Sequence, residues 1–137
     1  MTASRPIETV LAFDFGTRRI GVAVGNSLTG GARALDVIEE PVVDRRFARI
    51  TALIAQWEPQ RLLVGRPTEE DGTPSEMTAR AERFARQLHG RHRLPVDMVD
   101  ERYSSLEAQS VVGRNAVDDA EAAAIILRQY FDEQRDT

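Results

Sequence analysis

Asp14, Glu101 and Asp119 are far apart in the chain, yet each stands at the boundary of an apolar element. Asp14 interrupts the apolar run LAFDFG (11–16), and Glu101 closes the alternating segment VDMVDE (96–101). Asp119 is the second of twin aspartates that open DDAEAAAIIL (118–127). A carboxylate in a buried strand is costly unless something pairs with it. The ends of strands and starts of helices are also where open α/β sheets build their sites. Two like charges about 4 Å apart repel by roughly 4 kcal/mol at an effective dielectric near 20, so converging acids call for a cation. The chain has no cysteine and no compelling histidine, and oxygen-only ligands favour Mg²⁺ or Mn²⁺ over zinc. Two such ions can activate an attacking water and stabilise the leaving oxygen of a phosphodiester. Each acid also has a structural alternative. Asp118 or Asp119 is a good helix N-cap, Asp14 could accept from the Gly16 and Thr17 amides, and Asp100 could pair with Arg102. Spacing along the chain does not by itself bring the three together.

A site that cuts a polyanion needs positive charge beside its acids. Arg18 and Arg19 follow Asp14 in a turn, Arg66 ends the segment RLLVGR (61–66), and Arg102 adjoins Glu101. These four are expected to contact nucleic acid, as positioners of phosphate rather than readers of bases. Arg45, Arg46 and Arg49 on one helix, and Arg80, Arg83 and Arg86 with Arg91 and Arg93 on the next, read as solvated faces. His89 and His92 read as surface residues at a helix end. Tyr103 is the aromatic near the acids that could stack on a base, whereas Phe47, Trp57, Phe84 and Tyr130 fall on apolar stripes.

The elements that must carry these residues follow from period and punctuation. Segments 8–15, 19–26 and 32–39 read as three strands of an antiparallel meander, with Gly16 and then Gly30-Gly31 in the turns. Val43, Phe47, Ile50, Ile54 and Trp57 step by four and three, the stripe of a helix that Pro59 stops. RLLVG (61–65) is a short buried strand. Met77, Ala81, Phe84, Ala85 and Leu88 mark a second helix, expected to end at Gly90. Residues 95–101 form a fifth strand, Ser104-x-x-Glu107 matches a capping box for a short helix, and a last helix runs from about Asp118 to Phe131. The order β-β-β-α-β-α-β-α-α implies a five-stranded mixed sheet with helices on both faces.

The chain is one domain of 137 residues, with its first seven or eight residues and 132–137 expected to be peripheral. A net charge of −4 and a pI near 5.2 argue against a generic basic coat for nucleic acid. No apolar run reaches membrane-spanning length and the start, MTASRPIET, has no signal-peptide core, so a cytoplasmic protein with no membrane partner is expected.

LAFDFGTRRIGVAVG, VGRPTEEDGTPSEMTARAERFARQL, VDERYSSLEA and DDAEAAAIILRQYF, in this order from about Leu11 to Phe131, resemble the YqgF/RuvX family. The resemblance implies a ribonuclease H-like fold related to bacterial Holliday-junction resolvases. It implies a nuclease that matures the 5′ end of pre-16S rRNA, with ribosomal precursor particles as partners. Resolution of branched DNA is the alternative. It further implies that Asp14, Glu101 and Asp119 are the catalytic, metal-holding acids. Two departures stand out. Related junction resolvases carry an acid at the end of strand four, where this chain has Gly65-Arg66, so Glu101 must substitute from the neighbouring strand. The segment VVGRNAVDD before the last acid is shorter than the basic loop of many relatives. Two further readings remain open: a non-catalytic nucleic-acid-binding domain, and an actin-like ATPase relative, whose first motif is also Asp-x-Gly-Thr. A homodimer suits a two-fold junction, and a monomer suffices to trim an RNA end.

Overall fold

The computed structural model of the chain describes residues 6–69, 71–100 and 116–135. Three strands come first: β1 (Thr9–Asp14), β2 (Ile20–Asn26) and β3 (Ala32–Ile38). Then follow α1 (Val43–Trp57), β4 (Arg61–Arg66), α2 (Glu76–His92), β5 (Val96–Asp100) and α3 (Ala116–Arg135). The strands form one sheet in the order β3-β2-β1-β4-β5. Pairing is antiparallel from β3 through β2 to β1, and parallel from β1 through β4 to β5. This is the expected five-stranded mixed sheet. The short helix expected from Ser104 lies outside the described residues.

Strand alternation sorts the core into two layers. Leu11, Phe13, Ile20, Val22, Leu62 and Val64 pack with Phe47, Ile50, Ala81, Phe84 and Leu88 of α1 and α2. Their neighbours Val10, Ala12, Ala23, Leu63 and Val99 pack with Ala123, Ala124, Ile126, Leu127 and Phe131 of α3. The sheet is therefore sandwiched between α1 and α2 on one side and α3 on the other.

The helix ends show which local signals won. Glu58 takes a left-handed φ of 49° and donates its N–H to the Ile54 carbonyl, and Pro59 cannot continue the helix. At the start of α2, the Ser75 hydroxyl and Thr78 form a reciprocal capping box. The α2 helix does not end at Gly90. It runs on to His92 and is capped by Arg93 at φ 57°, whose N–H donates to the His89 carbonyl at 2.8 Å. The reason lies downstream: Leu94 packs against the core and its carbonyl meets His89 Nδ1 at 3.0 Å. The turn has to fall where Leu94 can be buried. Likewise α3 continues past Phe131 to Arg135, because Asp-Glu-Gln-Arg has nothing to break a helix already anchored by Phe131. Among the described residues, no helix is long and apolar enough to cross a membrane.

Candidate active site

Asp14 is the last residue of β1, and its orientation follows from its neighbours. Phe13 and Phe15 both contact the Phe84 ring on the α2 side, at centroid distances of 5.9 and 4.9 Å. Asp14, between them, falls in register with Val10 and Ala12 on the face that α3 covers. It is 9% exposed.

Across the sheet, Asp14 is paired with Gly21 of β2. Gly21 is where α3 comes down. A Cβ built on Gly21 would lie 1.9 Å from the Asp119 carbonyl oxygen, so only glycine admits this approach. The device repeats along β2. A Cβ on Gly25 would meet the Gly31 carbonyl at 2.5 Å and the Leu127 side chain at 2.9 Å. Gly21, Ala23 and Gly25 thus form a shallow track in which the alanine-rich face of α3 lies close to the sheet. The backbone of Asp119 therefore rests on the residue directly opposite Asp14, one strand spacing (about 4.8 Å) away. Asp119 is 8% exposed and lies in the first turn of α3, where the helix dipole favours negative charge.

Arginine side chains frame the pair. Arg19 Nε stands 2.8 Å from Asp119 Oδ2, close enough for an ion pair but not aligned as a hydrogen bond. Arg18 is exposed and makes no ion pair among the described residues. Arg46, one of the arginines read as a solvated helix face, has a different position. Its Nη2 donates to the Thr17 carbonyl and its Nε to the Glu40 carbonyl, both at 3.1 Å, which ties the Asp14 turn to the start of α1. Arg66 ends β4, but its side chain turns to the α2 side. There it pairs with Glu82 at 3.1 Å and Asp100 at 3.2 Å, which together push its guanidinium above the ordinary arginine range. Arg66 is thus not beside Asp14 and Asp119. Glu101, Arg102 and Tyr103 lie outside the described residues, as does the side chain of Asp118.

Sequence reasoning missed Gly21 and Arg46. A glycine inside a β-branched strand is a sequence signal for close backbone approach. Nothing local distinguishes Arg46 from Arg45 or Arg49.

Asp14 and Asp119 offer only carboxylate oxygens on rigid elements, with a guanidinium already drawn in as counter-charge. That donor set suits a hard divalent cation that completes its shell with water and substrate oxygens. Among the described residues no group of three metal-ligating side chains occurs. Two open clefts lie at the other end of the strands. One is lined by Arg61, Asp97, Tyr130 and Phe131, the other by Asn26, Arg33 and Trp57. In the first, Arg61 joins Glu8 and Asp97 at 3.0 Å each, and Tyr130 donates to Asp97 at 3.1 Å. Burial pushes the Tyr130 phenol up. These acids are all paired within the cleft.

The comparison with known proteins fits this arrangement. The family profile described as "RuvX: Holliday junction resolvase" matches residues 8–133. A protein of Bordetella petrii named "Putative pre-16S rRNA nuclease" is 54% identical over 127 residues, spanning 93% of this chain and 97% of its own. One of the same name from Burkholderia vietnamiensis is 53% identical over 142 residues, spanning 98% and 95%. Among solved structures, Thermus thermophilus RuvC in complex with a Holliday junction superposes with a TM-score of 0.57 at 18% identity, over 93% of this chain and 95% of that one. The Fowlpox virus resolvase, also bound to junction DNA, gives 0.56 at 7% identity, over 92% and 98%. The sheet and helices described above are thus the RuvC-like ribonuclease H fold.

Proposed function

Because this chain belongs to the RuvX family, we propose that it hydrolyses phosphodiester bonds of RNA and matures the 5′ end of pre-16S rRNA. In this reading Asp14, Glu101 and Asp119 are the catalytic acids, and Mg²⁺ or Mn²⁺, two ions in number, supplies Lewis acidity at the scissile phosphate. The observation that supports it is the approach of the Asp119 backbone to Gly21, the residue paired with Asp14, in a chain 54% identical to a protein named for this activity.

The chain's own residues divide the work. Asp14 and Asp119 present carboxylate oxygens from a strand end and a helix start, elements too rigid to collapse away from each other. Asp97 and Val99 of β5 face α3. Arg18 and Arg19 draw the phosphate backbone to the acids, where bonds to phosphate oxygens fix register without reading sequence. Arg46 holds the turn that carries both. Arg66 and Arg102 complete the expected phosphate contacts, with Arg66 able to reach RNA only by leaving Glu82 and Asp100. Ribosomal precursor particles in the cytoplasm are the setting this substrate implies.

The second reading, resolution of branched DNA, is favoured by the shared fold with RuvC, whose solved complex contains a Holliday junction. It calls for a homodimer, whereas RNA trimming needs only one copy. One experiment separates the two: cleavage of a pre-16S 5′-leader RNA and of a four-way DNA junction, each with Mg²⁺, Mn²⁺ or chelator. The expected result is metal-dependent RNA cleavage that chelator and Asp14→Asn both abolish. Junction cleavage without RNA cleavage would overturn the RNA assignment, and binding without cleavage of either substrate would leave a non-catalytic module.

A further inference from the structure

Arg19 is paired with Asp119, and its setting constrains what it can do. Its backbone leads directly into β2. Ile20, the next residue, is fully buried, and the Arg19 carbonyl lies 2.6 Å from where a Cβ on Gly16 would stand. Its side chain can move, since a third of it is exposed and it is adjacent to the exposed Arg18. Asp119 is the opposite case, a buried carboxylate on a fixed helix turn that needs a counter-charge at all times. A divalent ion on Asp119 would stand within a few ångströms of the Arg19 guanidinium. At that range, between like charges in a half-dry site, repulsion is strong.

Resting on the metal-site reading above, we propose that Arg19 is the resident counter-ion of Asp119 in the metal-free chain and that the divalent ion displaces it. The released guanidinium then turns outward to join Arg18 at the phosphate. Metal binding and substrate binding are coupled through this one side chain. Phosphate that draws Arg19 away raises the affinity for metal, and metal that expels Arg19 raises the affinity for phosphate, by the same factor.

The test is a calorimetric titration of the intact chain with Mn²⁺, without nucleic acid. Arg19→Gln removes the competitor and is expected to lower the Mn²⁺ Kd by about five- to a hundred-fold, the usual size of such couplings. Arg19→Lys keeps the charge and is expected to stay near the wild-type value. Unchanged or weaker binding by Arg19→Gln would overturn the proposal, since Arg19 would then be orienting Asp119 for the ion. Asp119→Asn distinguishes the two levels of failure. Wild-type Mn²⁺ affinity in Asp119→Asn removes the metal-site reading and this inference with it. Lost affinity there, without tightening in Arg19→Gln, removes the inference alone. A measurement on the wild type does not depend on any variant folding. The Arg19 Nε–H resonance is expected to move to the free-arginine position and exchange faster when Mg²⁺ is added. A resonance unmoved at saturating Mg²⁺ would overturn displacement.

Discussion

Asp119 is one of two adjacent aspartates, and neighbouring residues of a helix project about 100° apart. Asp119 shares its buried face with Ala123, Ile126 and Leu127 and rests on Gly21. Asp119→Asn is therefore expected to abolish metal-dependent cleavage with little change in melting temperature. Asp118→Asn is expected to keep most of its activity and to cost at most about 1 kcal/mol of helix-capping stability. Turnover on one leader RNA, with thermal melts of both proteins, decides between them; an inactive Asp118→Asn beside an active Asp119→Asn would exchange their roles. Asp14→Asn is expected to raise the melting temperature of the metal-free protein, because it removes one of two like charges carried on the same face of the sheet around Gly21. His92 gives a separate residue-scale expectation. Its Nε2 is buried with no hydrogen-bond partner among the described residues. Burial, and then the neighbouring Arg91 charge, hold its imidazole below the ordinary value of 6.5. The unfolded chain therefore binds this proton more readily than the folded one. The His92 contribution is complete above pH 6.5 and is lost as pH falls below it. Melts between pH 8 and pH 5 should show a smaller acid loss in His92→Gln than in the wild type.

At the scale of elements, the site depends on how closely α3 approaches β2. An alanine at Gly21 would place its methyl 1.9 Å from a backbone carbonyl that no rotamer change can move. Gly21→Ala is expected to cost about 1–3 kcal/mol or more of stability. It should also lower turnover on the order of 10²-fold for a displacement near 1 Å, although every acid is still present. Gly90 is the control. It sits inside α2 with nothing within 4 Å of its missing Cβ, so Gly90→Ala is expected to stabilise by about 0.5–1 kcal/mol and leave turnover alone. Denaturant unfolding of the two variants should move in opposite directions. The same logic gives Arg46 its role: it fixes the Thr17 carbonyl, and through it the turn that carries Arg18 and Arg19.

At the scale of the whole molecule, a chain of net charge −4 is expected to hold a polyanion through a few local contacts rather than a global field. Few phosphate contacts mean a shallow salt dependence, because the slope of log K against log salt is roughly −0.7 per contact for a single strand. Arg18→Ala is expected to flatten that slope by about 0.7, measured by fluorescence anisotropy on leader RNA between 50 and 200 mM salt. An unchanged slope would place Arg18 off the phosphate path. The paired acids at the far end of the strands, Glu8 and Asp97 on Arg61, tie the starts of β1, β4 and β5 together.

Much of this architecture was legible in the chain alone. A period of two in LAFDF and VDMVD and a period of 3.6 in the helices are local consequences of which residues need burial. They fix element type, order and the class of sheet. The acids Asp14 and Asp119 were visible as charges out of place in apolar patterns. Local pattern could not say how near two elements come, because that depends on atoms from distant segments competing for one volume. Only the packed structure shows Gly21 opposite Asp14 and beneath Asp119, and Arg46 on the Thr17 carbonyl. It alone turns Arg66 to the α2 side, where Glu82 and Asp100 await it. The helix that overran Gly90 has the same origin. Glycine permits a helix to end, but the burial of Leu94 decides where it does.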